Sequence, residues 1–299
     1  MQLRDLLLAV LVMVIWGFNF SMIKLGVSEV NPLVVTAARF ALAAIPLVLF
    51  ISKPDTKWLY VVSYGVVFGV GVWGMASWSI VAGLSSGMSS VLLTTNVILD
   101  MLVGVVVLKE SLTRRKLMGG LLATIAVVLS IANTNGNVTV LGVILILIAA
   151  VSWVVMGVIL KASKTQQPFA FGVWGMLVAP LPLITLALFI HGTEVFTDSW
   201  NHWSWSTGAA VMFQAYPTTL FGYWVWNKLL LKYPLSVVSP LNLLVPLSAL
   251  LSGYLIYDEN LSASQLISCG LYLVGIALIV IAPKKTKAQS FDGEMAKQN

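Results

Sequence analysis

Within the apolar stretch Ile15 to Lys24, "IWGFNFSMIK", stand an amide, Asn19, and an ammonium, Lys24. Asn19 sits too deep in the run to reach water, so it either hydrogen-bonds a neighbouring helix or faces a cavity. Lys24 lies five residues on, about 140° around a helix from Asn19. It can snorkel to the interface or serve a ligand. Asp100 lies in the middle of another apolar run, where an ionised carboxyl costs about 2.5–3.5 kcal/mol. Three roles are open to it: proton carrier, counter-charge to a ligand ammonium, or buried partner of Arg39. Arg39 lies in a third run and reads as a structural charge.

Neutral polar groups in the remaining runs supply the rest of a candidate site. Asn96 and Asn242 can both donate and accept, as the two ends of a zwitterion require. Gln214, Tyr216, Tyr223 and Trp226 share one run and offer an amide between aromatic walls. Trp73 and Trp78 offer the same walls in another run, with Trp78 the favoured contact. Pro240 and Pro246 break the hydrogen-bond ladder around Asn242, and freed carbonyls at membrane depth are tolerated where they line a cavity. Gly65 and Gly69 form a GxxxG, a signal for close helix packing.

These residues need elements that hold them inside a membrane. The chain has 299 residues, 59% hydrophobic and only 9% charged, whereas soluble domains carry about 25% charged residues. That composition gives an all-α polytopic membrane protein. A span needs about 20 apolar helical residues, which predicts ten: 5–26, 32–51, 59–81, 87–108, 115–133, 139–161, 168–190, 206–230, 234–257 and 263–282. Basic residues favour the cytoplasmic side. With both termini inside, 15 of the 17 Lys and Arg fall in cytoplasmic segments, while the outer connections hold Glu29, Glu194, Asp198, Asp258 and Glu259 and no basic residue. The net charge of +6 thus reports orientation rather than nucleic-acid binding. The lone cysteine, Cys269, permits no intrachain disulfide.

The chain also repeats itself. Trp16 precedes Lys24 by eight residues and Pro32 by sixteen; Trp153 precedes Lys161 by eight and Pro168 by fifteen. "LKESL" at 108–112 matches "YDENL" at 257–261. Residues 1–136 and 137–290 therefore read as two five-helix units, with 291–299 a polar cytoplasmic tail. An odd number of spans per unit inverts one copy against the other, the architecture of secondary transporters with a central site near the midplane. Arg39 and Asp100 have no twins, since Gly175 and Ala249 align with them, which marks them as specialised.

"VIWGFNFSMIKLG" with "NPLVVTAARF", and the later block from "FGYWVWNKLLLKYPLSVVSPLNLL" to "GLYLVGIAL", resemble the EamA branch of the drug/metabolite transporter superfamily. The likeness covers nearly the whole chain and implies a ten-helix inverted-repeat bundle around a central cavity. It also implies export of amino-acid metabolites or related small solutes across a bacterial inner membrane. Tyr257 and Asp258 depart from the Leu-Gly common at that point, which touches a loop.

No cofactor is expected, because a phosphate-binding loop, a nucleophile elbow and paired catalytic carboxylates are all absent. The expected partners are a small-molecule substrate and the lipid bilayer, no nucleic acid, with the chain a monomer or weak homodimer. A broad drug exporter is the alternative transporter, though the first-span carboxylate of small multidrug exporters is missing. Other classes are a channel, or a membrane-embedded enzyme using His191, Glu194, Asp198 and His202 of an outer loop.

Overall fold

The computed structural model describes residues 1–106, 113–132, 138–233 and 238–280, and every regular element among them is helical. The LKESL segment at 108–112, the start of the ninth expected span at 234–237 and the tail at 291–299 lie outside the described residues.

The helices in chain order are α1 (Leu3–Val27), α2 (Pro32–Val48), α3 (Trp58–Val81), α4 (Ser86–Leu93), α5 (Thr95–Val106), α6 (Arg114–Ala132) and α7 (Val140–Ser163). Then follow α8 (Pro168–Val178), α9 (Pro180–His191), α10 (Glu194–Asn201), α11 (Trp205–Phe213), α12 (Gly222–Lys232), α13 (Leu244–Tyr257) and α14 (Ala263–Val280). Five stretches are long and apolar enough to cross a membrane: Leu3–Val27, Trp58–Val81, Ser86–Val103, Val140–Ser163 and Pro168–His191. Three shorter apolar helices accompany them: Pro32–Val48, Leu241–Tyr257 and Ala263–Ile279. This is a polytopic membrane protein.

Local chemistry sets the helix starts. Asn31 caps α2 by accepting the Leu33 amide at 2.9 Å, and Pro32 takes the first helical position, where its missing N–H is no loss. Ser85 caps α4 and Thr139 caps α7 in the same manner. Two helices contain a π segment, Val67–Gly74 within α3 and Gln214–Phe221 between α11 and α12. Such widened turns shift the facing of everything that follows and occur often at functional sites. The loop expected between residues 191 and 205 folds in part into α10, a short helix that buries Val195 and Ser199.

Elements from the two ends of the sequence interleave. α1 packs on α13 and along α11 and α12; α3 packs on α8; α6 pairs with α14. Glycine permits the closest approaches: a Cβ on Gly65 would stand 2.4 Å from the Gly175 carbonyl, and one on Gly17 would stand 2.4 Å from the Ser248 Cβ. The apolar interior is rich in interlocked rings, among them Phe40 with Phe68, Tyr64 with Phe171 and Trp16 with Tyr223. Leu7, Leu11, Leu121, Leu181 and Leu255 point outward, as lipid-facing residues do.

Candidate functional site

Where helices break, polar side chains turn inward. α4 ends at Leu93 and α5 begins at Thr95, with the Thr94 hydroxyl turned back onto the Val91 carbonyl at 2.6 Å. Opposite, Ser239–Leu243 forms a 3₁₀ turn before α13. Between these breaks and the two π segments lies a cavity of about 170 Å³. Its aromatic walls are Trp16, Phe20, Trp73, Trp153 and Tyr223; its polar groups are Ser90, Thr94, Asn96, Thr218 and Asn242. Trp16 holds one wall in place by donating its indole N–H to the Thr218 carbonyl at 2.9 Å, inside the second π segment.

The polar groups around this cavity are short of partners. Trp73 Nε1, Ser90 Oγ and Thr218 Oγ1 are buried and make no hydrogen bond, and neither do the two amide atoms of Asn19. Buried polar atoms in folded proteins are nearly always satisfied, so a cluster of orphans around one cavity makes it the candidate place for a ligand. Three of the expected site residues, Asn96, Tyr223 and Asn242, meet here. Asn19 is fully buried on α1, next in sequence to Phe20. Gln214 is buried at the start of the second π segment with its amide 3.5 Å from the Met22 carbonyl. Tyr216 packs half-buried against the core, and Trp78 is half-buried outside the cavity lining, where Trp73 stands instead.

Arg39 lies just behind the wall. Its Nη2 donates to Thr219 Oγ1 at 3.1 Å, and its guanidinium carbon stands 4.3 Å from the Trp73 ring centroid. It does not pair with Asp100, which is exposed on α5 and takes part in no ion pair among the described residues. A second cavity, of about 180 Å³, opens toward the Pro168 end of α8 between Tyr64, Phe68, Met156, Phe169 and Trp226. It shares Tyr223 with the first and takes Thr219 as part of its wall.

Lys24 is tied to a carboxylate of another segment. Its Nζ meets Glu259 at 2.7 Å and lies over the Tyr257 ring. Glu259 also accepts the Ser86 and Gly87 amides at 2.9 and 3.2 Å, taking up donors at the start of α4. Burial pushes the Glu259 carboxyl up, but the bonds from Lys24, Ser86 and Gly87 outweigh it and hold the group below its ordinary value. Tyr257 donates to the Ser21 carbonyl at 2.8 Å, and the Ser21 and Ser252 hydroxyls meet at 2.7 Å. At the far end of α1, Asp5 pairs with Lys232 at 2.7 Å. Glu259 is the residue sequence reasoning passed over. The signal was the acidic pair Asp258 and Glu259 in a connection expected on the same side as Lys24, near the end of the first span.

A third hollow, of about 440 Å³, lies near this end, walled by Glu29, His191, Glu194, Asp198 and His202. Hydrogen bonds from Ser204 and Thr207 hold the Glu29 carboxyl below its ordinary value. Among the described residues, no group of His, Cys, Asp and Glu is arranged to hold a metal ion.

The model of the EamA-like transporter family matches residues 3–132 and again 140–281. A protein of Salmonella typhimurium named as a probable amino-acid metabolite efflux pump is 32% identical over 286 residues, covering 94% of this chain and 96% of that one. A protein of Escherichia coli with the same name is 30% identical, covering 96% and 98%. A solved crystal structure superposes with a TM-score of 0.60 at 16% identity, over 92% of this chain and 97% of the other, a likeness of fold.

Proposed function

Because the chain belongs to the EamA-like transporter family, we propose that it exports small amino-acid-like metabolites across a bacterial inner membrane by alternating access. The observation that carries this reading is the 170 Å³ cavity, whose orphaned polar atoms sit within aromatic walls. Amides at Asn96 and Asn242 suit the charged ends of such a solute and the rings suit its apolar remainder. The family and the named relatives are transporters rather than enzymes, which sets aside the enzyme reading of the His191–His202 hollow.

In this reading residues 1–136 and 137–290 are two inverted five-helix units, with both termini in the cytoplasm and 291–299 a cytoplasmic tail. Its supports are the alternation of basic loops, the family match falling in two blocks, and a π segment in the third helix of each unit. Alternating access requires contacts between the units to break at one end while those at the other hold. The Lys24–Glu259 and Asp5–Lys232 pairs, at opposite ends of α1, are the contacts that alternate. Protons supply the drive, with the midspan carboxyl of Asp100 as the group that takes them up. The protein works as a monomer or weak homodimer.

Purified protein in liposomes tests this. Radiolabelled amino acids and their acyl derivatives are expected to exchange across the bilayer, and to accumulate when a pH gradient is imposed. Movement only when ATP is supplied would overturn the reading.

A further inference from the structure

Arg39 is 1% exposed, yet it has no counter-ion among the described residues. One of its nitrogens reaches Thr219 Oγ1, whose own proton goes to the Gln214 carbonyl at 2.8 Å; among the described residues Nε and Nη1 find no acceptor. The Trp73 ring on which it stacks, 4.3 Å away, is part of the cavity wall. The lining itself carries no charged residue, so Arg39 dominates the field inside. A buried charge stripped of its partner is strongly unfavourable, and stacking on a ring offsets only part of the loss.

We infer that the cavity selects a carboxylate-bearing solute without net positive charge, and that the solute's carboxylate is the missing counter-ion of Arg39. This rests on the export reading above and adds the charge class of the substrate to it. A carboxylate at the edge of the Trp73 ring, accepting from its N–H, stands roughly 8 Å from the guanidinium, where attraction in an effective dielectric of about 20 gives roughly a 30-fold preference over a neutral isostere. The orphaned Trp73 N–H and the Thr218 and Ser90 hydroxyls can donate to its oxygens. An ammonium without a carboxylate finds only neutral acceptors and the repulsion of Arg39.

The test is binding to the purified full chain, read by quenching of its tryptophan fluorescence. The probes are 3-phenylpropionate, phenylalanine and 2-phenylethylamine, which share one ring and differ in charge. Wild type is expected to bind the first two and discriminate against the amine. Arg39→Met is expected to weaken 3-phenylpropionate roughly 30-fold while leaving the amine unchanged or tighter, and to melt no lower than wild type because a stranded charge is gone. Arg39→Lys is expected to keep the preference in weaker form. Equal binding of the amine and 3-phenylpropionate, or a preference that survives Arg39→Met, overturns the charge assignment and leaves the export reading standing. An Arg39→Met chain that does not fold also overturns it, by making Arg39 a structural charge. A wild type that binds none of the three overturns the export reading of the cavity itself.

Discussion

Glu259 is held from several directions: an ammonium, two backbone amides and the Ser86 hydroxyl meet one carboxylate. Because the folded carboxyl is held below its ordinary value of 4.5, the stabilisation is complete above that pH and is lost as pH falls through the lower folded value. Glu259→Gln is expected to cost about 1–3 kcal/mol at pH 7, with the melting temperature lowered accordingly. The gap between variant and wild type closes as the melts are repeated below pH 4.5. Asp100 is the opposite case, exposed and without an ion pair among the described residues. Asp100→Asn strands no partner, so it is expected to change stability by less than about 0.5 kcal/mol, and a coupling role then shows as a flattened pH dependence of uptake. Asn96 and Asn242 stood out in the sequence as amides in oily runs, Asn242 between two prolines, and Tyr223 as one of the rings sharing a run with Gln214. The Lys24–Glu259 pair did not, since it joins residues 235 apart in sequence and no local pattern brings them together.

At the scale of elements, the apolar runs gave helix positions to within a few residues, because length and hydrophobicity are properties of the segment alone. What they did not give was phase. The π segment Val67–Gly74 runs through Trp73, and it is Trp73 that lines the cavity while Trp78 does not. Five residues apart, the two rings stand about 140° apart around a helix, so only one can face the cavity, and nothing local in the sequence says which. The helix α10 was missed for a related reason: eight residues of mixed polarity gain their helical form from burying Val195 and Ser199 beneath them. Close approach, by contrast, was signalled by glycine. Gly65 meets the Gly175 backbone and Gly69 meets Ala179, as the GxxxG suggested. Gly65→Val is expected to push α3 off α8 and to cost about 1–3 kcal/mol. A thermal melt of the purified variant checks this, and a melt indistinguishable from wild type would mean the helices part without penalty.

At the scale of the molecule, α1 ties the start of the chain to its last helices. It is about 37 Å long at 1.5 Å per residue, and ion pairs hold both its ends to elements from beyond residue 230. Both pairs are formed here, and at the Glu259 end the Ser21–Ser252 contact at 2.7 Å adds to the first. Transport by alternating access needs that end to open in every cycle. The chain supplies a clean background for locking it, since its one cysteine, Cys269, is buried and Cys269→Ser removes it. Ser21→Cys with Ser252→Cys then puts two thiols where two hydroxyls already touch. Oxidation is expected to form the disulfide, to stop exchange of labelled solute in liposomes and to leave substrate binding from the opposite side intact; reduction restores exchange. Each single cysteine variant controls for modification alone. If the crosslinked protein still exchanged solute at the rate of the reduced form, α1 and α13 would not separate during transport, and opening would have to occur between other elements.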